Sequence, residues 1–498
     1  MATNSYLFVI LANCTIKFIM KATSFTNSSL IHHRLYVYLL FFFSLGAFAC
    51  QTSQGETKDK TNTDTSKTAQ INKPVNEVAT PLFVVTGYSR ELANISQDSL
   101  SQLYCAGKVY VLAPAKAKAD RFFKCTNGKT LPDLKAFAKL AKNALMVTDI
   151  DHLIAQYKAL NVNGTSFFEA PTKYPLIDQS EGSTPFDYAK KVTKFTLTGV
   201  TAITRNTGLA ADAKGPDFLI EKVKHHFQNS DLVHISNEVS FDPKCVYIKY
   251  DPRYKFCTKE RDFKTLIDLN TDIVELTGNH NKDFGSTPYK LTYDWYKKNG
   301  MKTFGGGLNE QQANTPLIID LKDGKKMAFI GYNQACPIGE CAQGTTKSGA
   351  NRYNREKARK LLQDLKQNKK IDIVFASVQF TEVDSYKPHS KQIKISYDLL
   401  NFGADVVYGS QAHQVQEIEF YKGKPLFHGL GNFLFDQIHR VGVRRGYFLH
   451  HYIYGGKVVQ SVPVYTWISN ERRPVIATKA QADAIKKLIF PDRLIYKW

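Results

Sequence analysis

No apolar run in this chain reaches the roughly 18 residues that a membrane-crossing helix needs. The strongest, residues 35–45, ends within a dozen positions. Cys-x-x-Cys is missing, and so is any Cys/His spacing suited to structural zinc. Gly-x-Ser-x-Gly, a Walker-type loop and a Ser/His/Asp order are missing too, which leaves nucleophilic hydrolase and kinase readings without support. No internal repeat recurs at a fixed period. Acids are scarce beside bases, 45 Asp+Glu against 66 Lys+Arg, for a formal charge of +21. The first 50 residues hold three of those cations and no acid, which leaves +18 on the remainder. Such an excess suits an anionic partner: an acidic polymer, lipid headgroups or nucleic acid. The cations form no Lys/Arg-rich block and no aromatic-interleaved basic motif, so nucleic acid is not expected. A diffusely basic, solvated surface is the alternative.

What is present is a chain of 498 residues with 43% apolar content and 58 Phe plus Tyr, enough for two or three domains with a large buried core. His32, His33 and Arg34 precede the 35–45 run, and Gly46-Ala47-Phe48-Ala49-Cys50 follows it. A basic edge, a short apolar core and small residues before a cleavage point describe a secretory signal over residues 1–50. Cys50 resembles the thiol that is lipidated in a bacterial lipoprotein; cleavage after Ala49 without lipidation and a retained anchor are the alternatives. Residues 51–80 are polar with no aromatic, the composition of a disordered tether. The other cysteines, Cys14 aside, fall into near-neighbour couples: Cys105 with Cys125, Cys245 with Cys257, Cys336 with Cys341. Disulfides in an oxidising compartment fit them, with the pairing inferred from proximity alone. Together these features predict export to a bacterial cell envelope and membrane attachment through Cys50.

Residues 81–190 read as a small α/β domain, faintly similar to half of a solute-binding domain, with helices over 98–104 and 131–143. From Val192 onward, apolar β-rich runs recur at 194–198, 232–235, 272–277, 327–331, 371–377, 404–409 and 425–430. Amphipathic segments lie between several of them. Leu219, Ile220, Val223 and Phe227 stand at helical spacing, Pro288 opens a helix that Gly300 ends, and Ser390 caps one that Gly403 ends. Alternation of this kind predicts a mostly parallel α/β sheet with ligands gathered at strand ends. Residues 471–498 read as a helical tail.

The polar clusters stand at those ends. Ser236-Asn237-Glu238, Gly278-Asn279-His280, Gln379-Phe380-Thr381-Glu382 and Ser410-Gln411-Ala412-His413 each follow an apolar run. Histidines and amides on separate loops, with a carboxylate, are the donor types a metal-assisted phosphoesterase needs. His225 and His226 read as solvated, His428 as packed, and Asp283 as a hydrogen-bonding brace for its own loop.

Five segments carry a family resemblance: Glu275-Leu276-Thr277-Gly278-Asn279-His280, Phe304-Gly305-Gly306-Gly307-Leu308-Asn309, the 403–413 stretch ending in His413, Phe420-Tyr421-Lys422-Gly423-Lys424-Pro425, and Gly429-Leu430-Gly431-Asn432-Phe433 with Phe435-Asp436-Gln437. In order and spacing, residues 191–470 resemble the CapA family of poly-γ-glutamate capsule proteins. The resemblance implies a calcineurin-like metallophosphoesterase fold, here an α/β/β/α sandwich of two sheets flanked by helices, preceded by the small α/β domain. It implies a role in making, anchoring or exporting an anionic capsule polymer, with that polymer or the capsule machinery as partner. It implies one divalent ion (Mn, Fe or Zn) on Glu238, Asn279, His280 and His413, with His280 and Arg205 as the catalytic pair. Three positions depart from the family pattern: Val200 stands where a metal-binding Asp is expected, and Gln379 and Gln411 stand where His is common. A non-catalytic polymer-binding protein on the same fold is the alternative.

Overall fold

The computed structural model describes residues 78–490, apart from 141–142 and 180–182, and the backbone of 496–497. The signal, Cys50 and residues 51–77 of the tether lie outside these residues; the tether's last expected residues, 78–80, are instead paired, with Val78 bridged to Thr184 and Thr80 opening the first strand. Among the described residues no helix is long and apolar enough to cross a membrane.

The first described strand, Thr80–Gly87, runs antiparallel to Met146–Asp149 on one side and Tyr157–Ala159 on the other. Tyr110–Leu112 lies parallel to Met146–Asp149 and to Lys129–Leu131. Aromatic packing closes this sheet: Phe83 sits edge-on to Phe167 at 5.1 Å, and Tyr104 stacks on Phe123 at 4.5 Å. The same core takes in Tyr452 and Val459 from the far end of the chain. Residues 98–104 lie within the helix Gln97–Cys105, which Ser96 caps. The helix expected over 131–143 is only Leu134–Ala138, capped by Asp133.

The larger part is two sheets face to face. One has the order Lys302–Phe304, Ile273–Glu275, Leu232–Asn237, Thr193–Thr201, Arg445–Tyr454, Lys457–Ile468, Pro474–Ile476; its first four strands are parallel. The other runs Leu317–Asp320, Lys326–Asn333, Ile373–Gln379, Val406–Ser410, Lys424–Phe427, Ile418–Tyr421, Tyr496–Lys497, with a parallel centre. Strands buried on both faces read as near-continuous apolar runs, and all seven residues of Ile373–Gln379 are buried, with Ser377 and Gln379 the polar exceptions near its carboxyl end. Phe195 of the first sheet meets Phe329 and Phe375 of the second, each at 5.3 Å.

The outer face of the first sheet buries Val233, Ile235 and Val274 against Tyr289 and Tyr296 of the helix Ser286–Lys298. On the second sheet's outer face, the helix Arg355–Gln367 buries Ala358, Leu362 and Leu365, a stripe at helical spacing. Asn354 caps it by accepting from the Lys357 amide. The layer order is therefore α/β/β/α, the architecture expected. The C-terminal segment belongs to this body: Ile485 and Ile489 of the helix Lys479–Ile489 enter the inter-sheet core.

Two local expectations change. Leu219, Ile220, Val223 and Phe227 are all buried, but on the 3-10 turns Pro216–Leu219 and Lys224–His226 and the residues beside them, not on one α-helix. Gly215 enters with φ +85° and Pro216 follows it, which sets a tight turn in place of a helical start. The helix Ser390–Phe402 is capped by the His389 side chain, one residue ahead of Ser390. The disulfides join Cys105 to Cys125, Cys245 to Cys257 and Cys336 to Cys341.

Candidate functional site

Parallel strands deliver their carboxyl ends to one edge of the sandwich, where side chains are free of the ladder. Leu232–Asn237 hands over Glu238, Ile273–Glu275 leads to Asn279 and His280, Ile373–Gln379 ends on Gln379, and Val406–Ser410 leads to Gln411 and His413. The first two loops touch through a bridge between Val239 and His280. Their approach requires Gly278, because a Cβ there would lie 2.7 Å from the Cα of Glu238. Gln411 and His413 hold φ of +85° and +53°, a costly conformation for side-chain-bearing residues that the surroundings enforce.

Gln379 is the hub. Its amide nitrogen lies 3.0 Å from Glu238 Oε1 and 2.8 Å from Asn279 Oδ1, and it also donates to Gln411 Oε1. Asn333 fixes which end of the amide points inward: its Nδ2 donates to Gln379 Oε1 at 2.6 Å and to the Thr277 carbonyl at 2.8 Å. Asn333 Oδ1 in turn accepts from the Cys336 amide. Two hydrogens on one nitrogen thus face three oxygens.

Both histidines are oriented from behind. His280 Nδ1 bonds to Asp283 Oδ2 at 2.8 Å, and the same carboxylate accepts from the Phe256 amide. Asp283 is thus the loop brace expected of it. His413 Nδ1 bonds to Asn432 Oδ1 at 2.9 Å. Since Asn432 spends its amino group on Gln437 and the Val443 carbonyl, His413 Nδ1 is the donor. Among the described residues Nε2 of each ring makes no hydrogen bond, the arrangement typical of imidazoles that ligate metals.

Glu238 is buried, and that burial raises its carboxyl above the ordinary range; the nearby His413 and His280 pull the other way without prevailing. Among the described residues its Oε2 has no hydrogen-bond partner. For His280, burial works to lower the ring's pKa, but the bond to Asp283 and the charges of Asp283, Glu238 and Glu340 outweigh it and hold the value above normal. Glu340 is pushed up to about 7, by burial first and the charge of Asp283 second.

Arg205, Asn279, His280, Gln411 and His413 line one cleft of about 700 Å³, with Glu238 reached through Gln379. Four of the five expected site residues therefore line one cleft, and Glu238 joins them only through its bond to Gln379; among the described residues no group of three His, Cys, Asp or Glu side chains is arranged to hold a metal ion. Val200 is buried in its strand and contributes no polar group. Arg205 pairs with Asp436, and its guanidinium carbon lies 4.5 Å from the Phe256 ring and 5.2 Å from that of Phe435. That clamp leaves little freedom to the guanidinium. Sequence reading missed Asn333 and, although it picked out Asp436 within a family segment, missed its pairing with Arg205; both roles depend on contacts far along the chain. It also missed the wall formed by Lys249, Tyr250 and Tyr254. Residues 249–256 interleave cations with aromatics, so the expectation that no such motif exists fails here. The bracketing pair Cys245 and Cys257 was the available signal.

Residues 194–437 match the family described as bacterial capsule synthesis protein PGA_cap. The chain is 26% identical over 246 residues to capsule biosynthesis protein CapA of Bacillus anthracis, covering 49% of this chain and 59% of that one. It is 25% identical over 252 residues to PGA biosynthesis protein CapA of Bacillus subtilis (strain 168), covering 50% and 65%. A probable polyglutamine synthesis accessory protein of Mycobacterium tuberculosis is 23% identical over 184 residues, covering 34% of this chain and 46% of that one. The matched region thus spans less than two thirds of each of these relatives. The solved structure of Haemophilus influenzae NAD nucleotidase aligns with a TM-score of 0.33 at 13% identity, over 60% of this chain and 55% of that one. The match over residues 194–437, just under half of the chain, and the two Bacillus relatives support membership of the bacterial capsule synthesis protein PGA_cap family, with the strand-end loops just described inside the matched stretch.

Proposed function

We propose that this protein acts at the bacterial cell envelope, attached through a lipidated Cys50, in the biosynthesis, anchoring or export of an anionic capsule polymer of poly-γ-glutamate type. In this reading the cleft is a hydrolytic site that holds one divalent ion, Mn, Fe or Zn, on Glu238, Asn279, His280 and His413. The observation that carries it is the donor set. Two imidazoles have Nδ1 committed and Nε2 left over, beside a buried carboxylate oxygen with no partner. Such an ion, when bound, polarises a phosphate- or amide-like group and makes bound water more acidic. The chain's own residues do the rest. Asp283 and Asn432 keep the rings in register, and the clamped Arg205 faces the cleft as a fixed positive charge for an anionic group. One ion is the ceiling, because Val200 supplies no ligand and the Gln379 amino group points into the remaining oxygens.

A specific observation favours a second reading, a polymer-binding protein without chemistry. The Gln379 amino group already does for the three oxygens much of what a cation would do. Elemental analysis of protein purified without chelator, beside the His280→Ala/His413→Ala variant, separates the two. The hydrolytic reading expects about one ion per chain in the parent, none in the variant, and metal-dependent cleavage of a phosphodiester or γ-glutamyl amide lost with it. A metal-free parent that binds polyglutamate regardless of chelator overturns it in favour of the second.

A further inference from the structure

The loop closed by Cys245 and Cys257 is built inside out. Its inward residues are tied down: Tyr247 donates to Asp262 at 2.6 Å and accepts from the Lys259 amide at 2.8 Å, while Asp251 accepts from the amide and the guanidinium of Arg253. Its outward residues are apolar. Val246 is 73% exposed, Ile248 45%, Tyr250 63% and Tyr254 59%, and Phe284 adds another 42% beside them. Lys244, Lys249 and Lys255 stand among these side chains, and no ion pair engages them within the described residues. A pocket of about 250 Å³ opens between Lys244, Val246, Ile248, Arg253, Lys255 and Phe284.

A disulfide-closed loop that turns to solvent branched aliphatics, tyrosines and, among the described residues, lysines without ion pairs needs a partner that is apolar and anionic together. A soluble polyanion would engage the lysines and leave Val246 and Ile248 in water. A second copy of this chain would bring its own positive charge, +21 overall, against the same lysines. The boundary of an anionic bilayer satisfies both demands, since acyl chains take the aliphatics, the headgroup layer suits tyrosine, and lipid phosphates pair with lysine. We propose that this loop docks the protein on an anionic phospholipid surface. Val246 and Ile248 enter the acyl boundary, and a lipid phosphate is held between Lys244 and Lys255. Because Lys249, Tyr250 and Tyr254 also line the candidate site, docking would hold the cleft mouth at the bilayer. This contact is separate from any attachment at Cys50 and does not depend on the chemistry of the cleft.

The test uses the full chain with a local reporter, Val246→Trp, against vesicles of phosphatidylethanolamine and phosphatidylglycerol with brominated acyl chains. The native tryptophans of the parent give the background. The expected result is quenching of the added emission that requires phosphatidylglycerol and falls with salt. Adding Lys244→Glu and Lys255→Glu should weaken the apparent partition at least about tenfold. All the substituted side chains are at the surface, so thermal melting of each variant should match the parent. No quenching, or equal quenching by neutral phosphatidylcholine vesicles, overturns the proposal. So does a Val246→Asp/Ile248→Asp variant that instead loses polyglutamate binding, or loses self-association in sedimentation.

Discussion

Two polar clusters lie one below the other in the sandwich, made of similar residue types, and they are finished differently. In the lower one, His234 Nε2 meets Glu275 Oε2 at 3.1 Å, Thr277 donates to the other Glu275 oxygen, and the Tyr408 hydroxyl lies 3.3 Å from His234. Phe195 and Phe304 pack around it, and none of its members is more than 2% exposed. In the upper cluster, Glu238 keeps one bare oxygen, and two hydrogens of Gln379 serve three acceptors. What stays bare below is one ring nitrogen of His234. An unpaired imidazole lone pair is cheaper to bury than an unpaired carboxylate oxygen. The lower cluster therefore works as a brace between the sheets, fixing the strands whose loops carry the site. The upper one is left incomplete where a ligand can reach it.

The strongest way to break this comparison is to open the brace. Glu275→Ala strands His234 and Thr277 in the core, and its expected cost is about 3–5 kcal/mol in denaturant titration. A loss below about 1 kcal/mol would mean that the lower cluster braces nothing. The next effect is smaller and tests the upper cluster. Gln379→Leu removes the one donor shared by Glu238, Asn279 and Gln411, and should cost about 1–3 kcal/mol in metal-free protein. If those oxygens are ligands in waiting, added Mn or Zn should restore most of the loss in the same titration. A variant that is destabilised equally with and without metal would make the upper cluster a second brace.

The two clusters also differ in how far the sequence disclosed them. The strand-end loops were legible, because Asn279-His280 and Gln411-Ala412-His413 follow apolar β-rich runs, and alternating strands and helices fix which ends converge. The α/β/β/α layering was legible through the same alternation and the family segments. The Gln379 hub was not. Sequence gives an amide at that position, but which end faces the oxygens is set by Asn333, 46 positions away. Nor does spacing announce that Arg205 is held by Asp436, 231 positions on. Local pattern also overreached at 219–227, where apolar spacing was helical but Gly215-Pro216 set a turn. The loop at 244–257 was hidden differently: its exposed aliphatics look like core residues until burial is known.

The smallest expected effect lies at the rim of the upper cluster, where the 336–341 disulfide loop docks on the His280 loop. Glu340 accepts from the Lys282 amide at 3.2 Å, and Lys282 Nζ bonds to the Gly339 and Ser348 carbonyls. A carboxyl raised to about 7 from an ordinary 4.5 holds its proton in the folded chain after the unfolded chain has released it. The folded state then binds more protons across that window, so stability falls as pH rises from about 4.5 to 7 and the cost levels off above. His280, held above its ordinary value, gives a slope of the same sign at somewhat higher pH, since its stabilising charge is lost as pH rises. Comparing the parent with Glu340→Gln isolates the carboxyl. The variant should gain about 1 kcal/mol on the parent between pH 5 and 7, an amount discounted for solvent screening at a half-buried site. Asp283→Asn, which removes the second cause of the shift, should reduce the parent's slope without abolishing it. Parallel stability curves for parent and Glu340→Gln would show that the rim, unlike the cluster beneath it, is fully relieved by solvent.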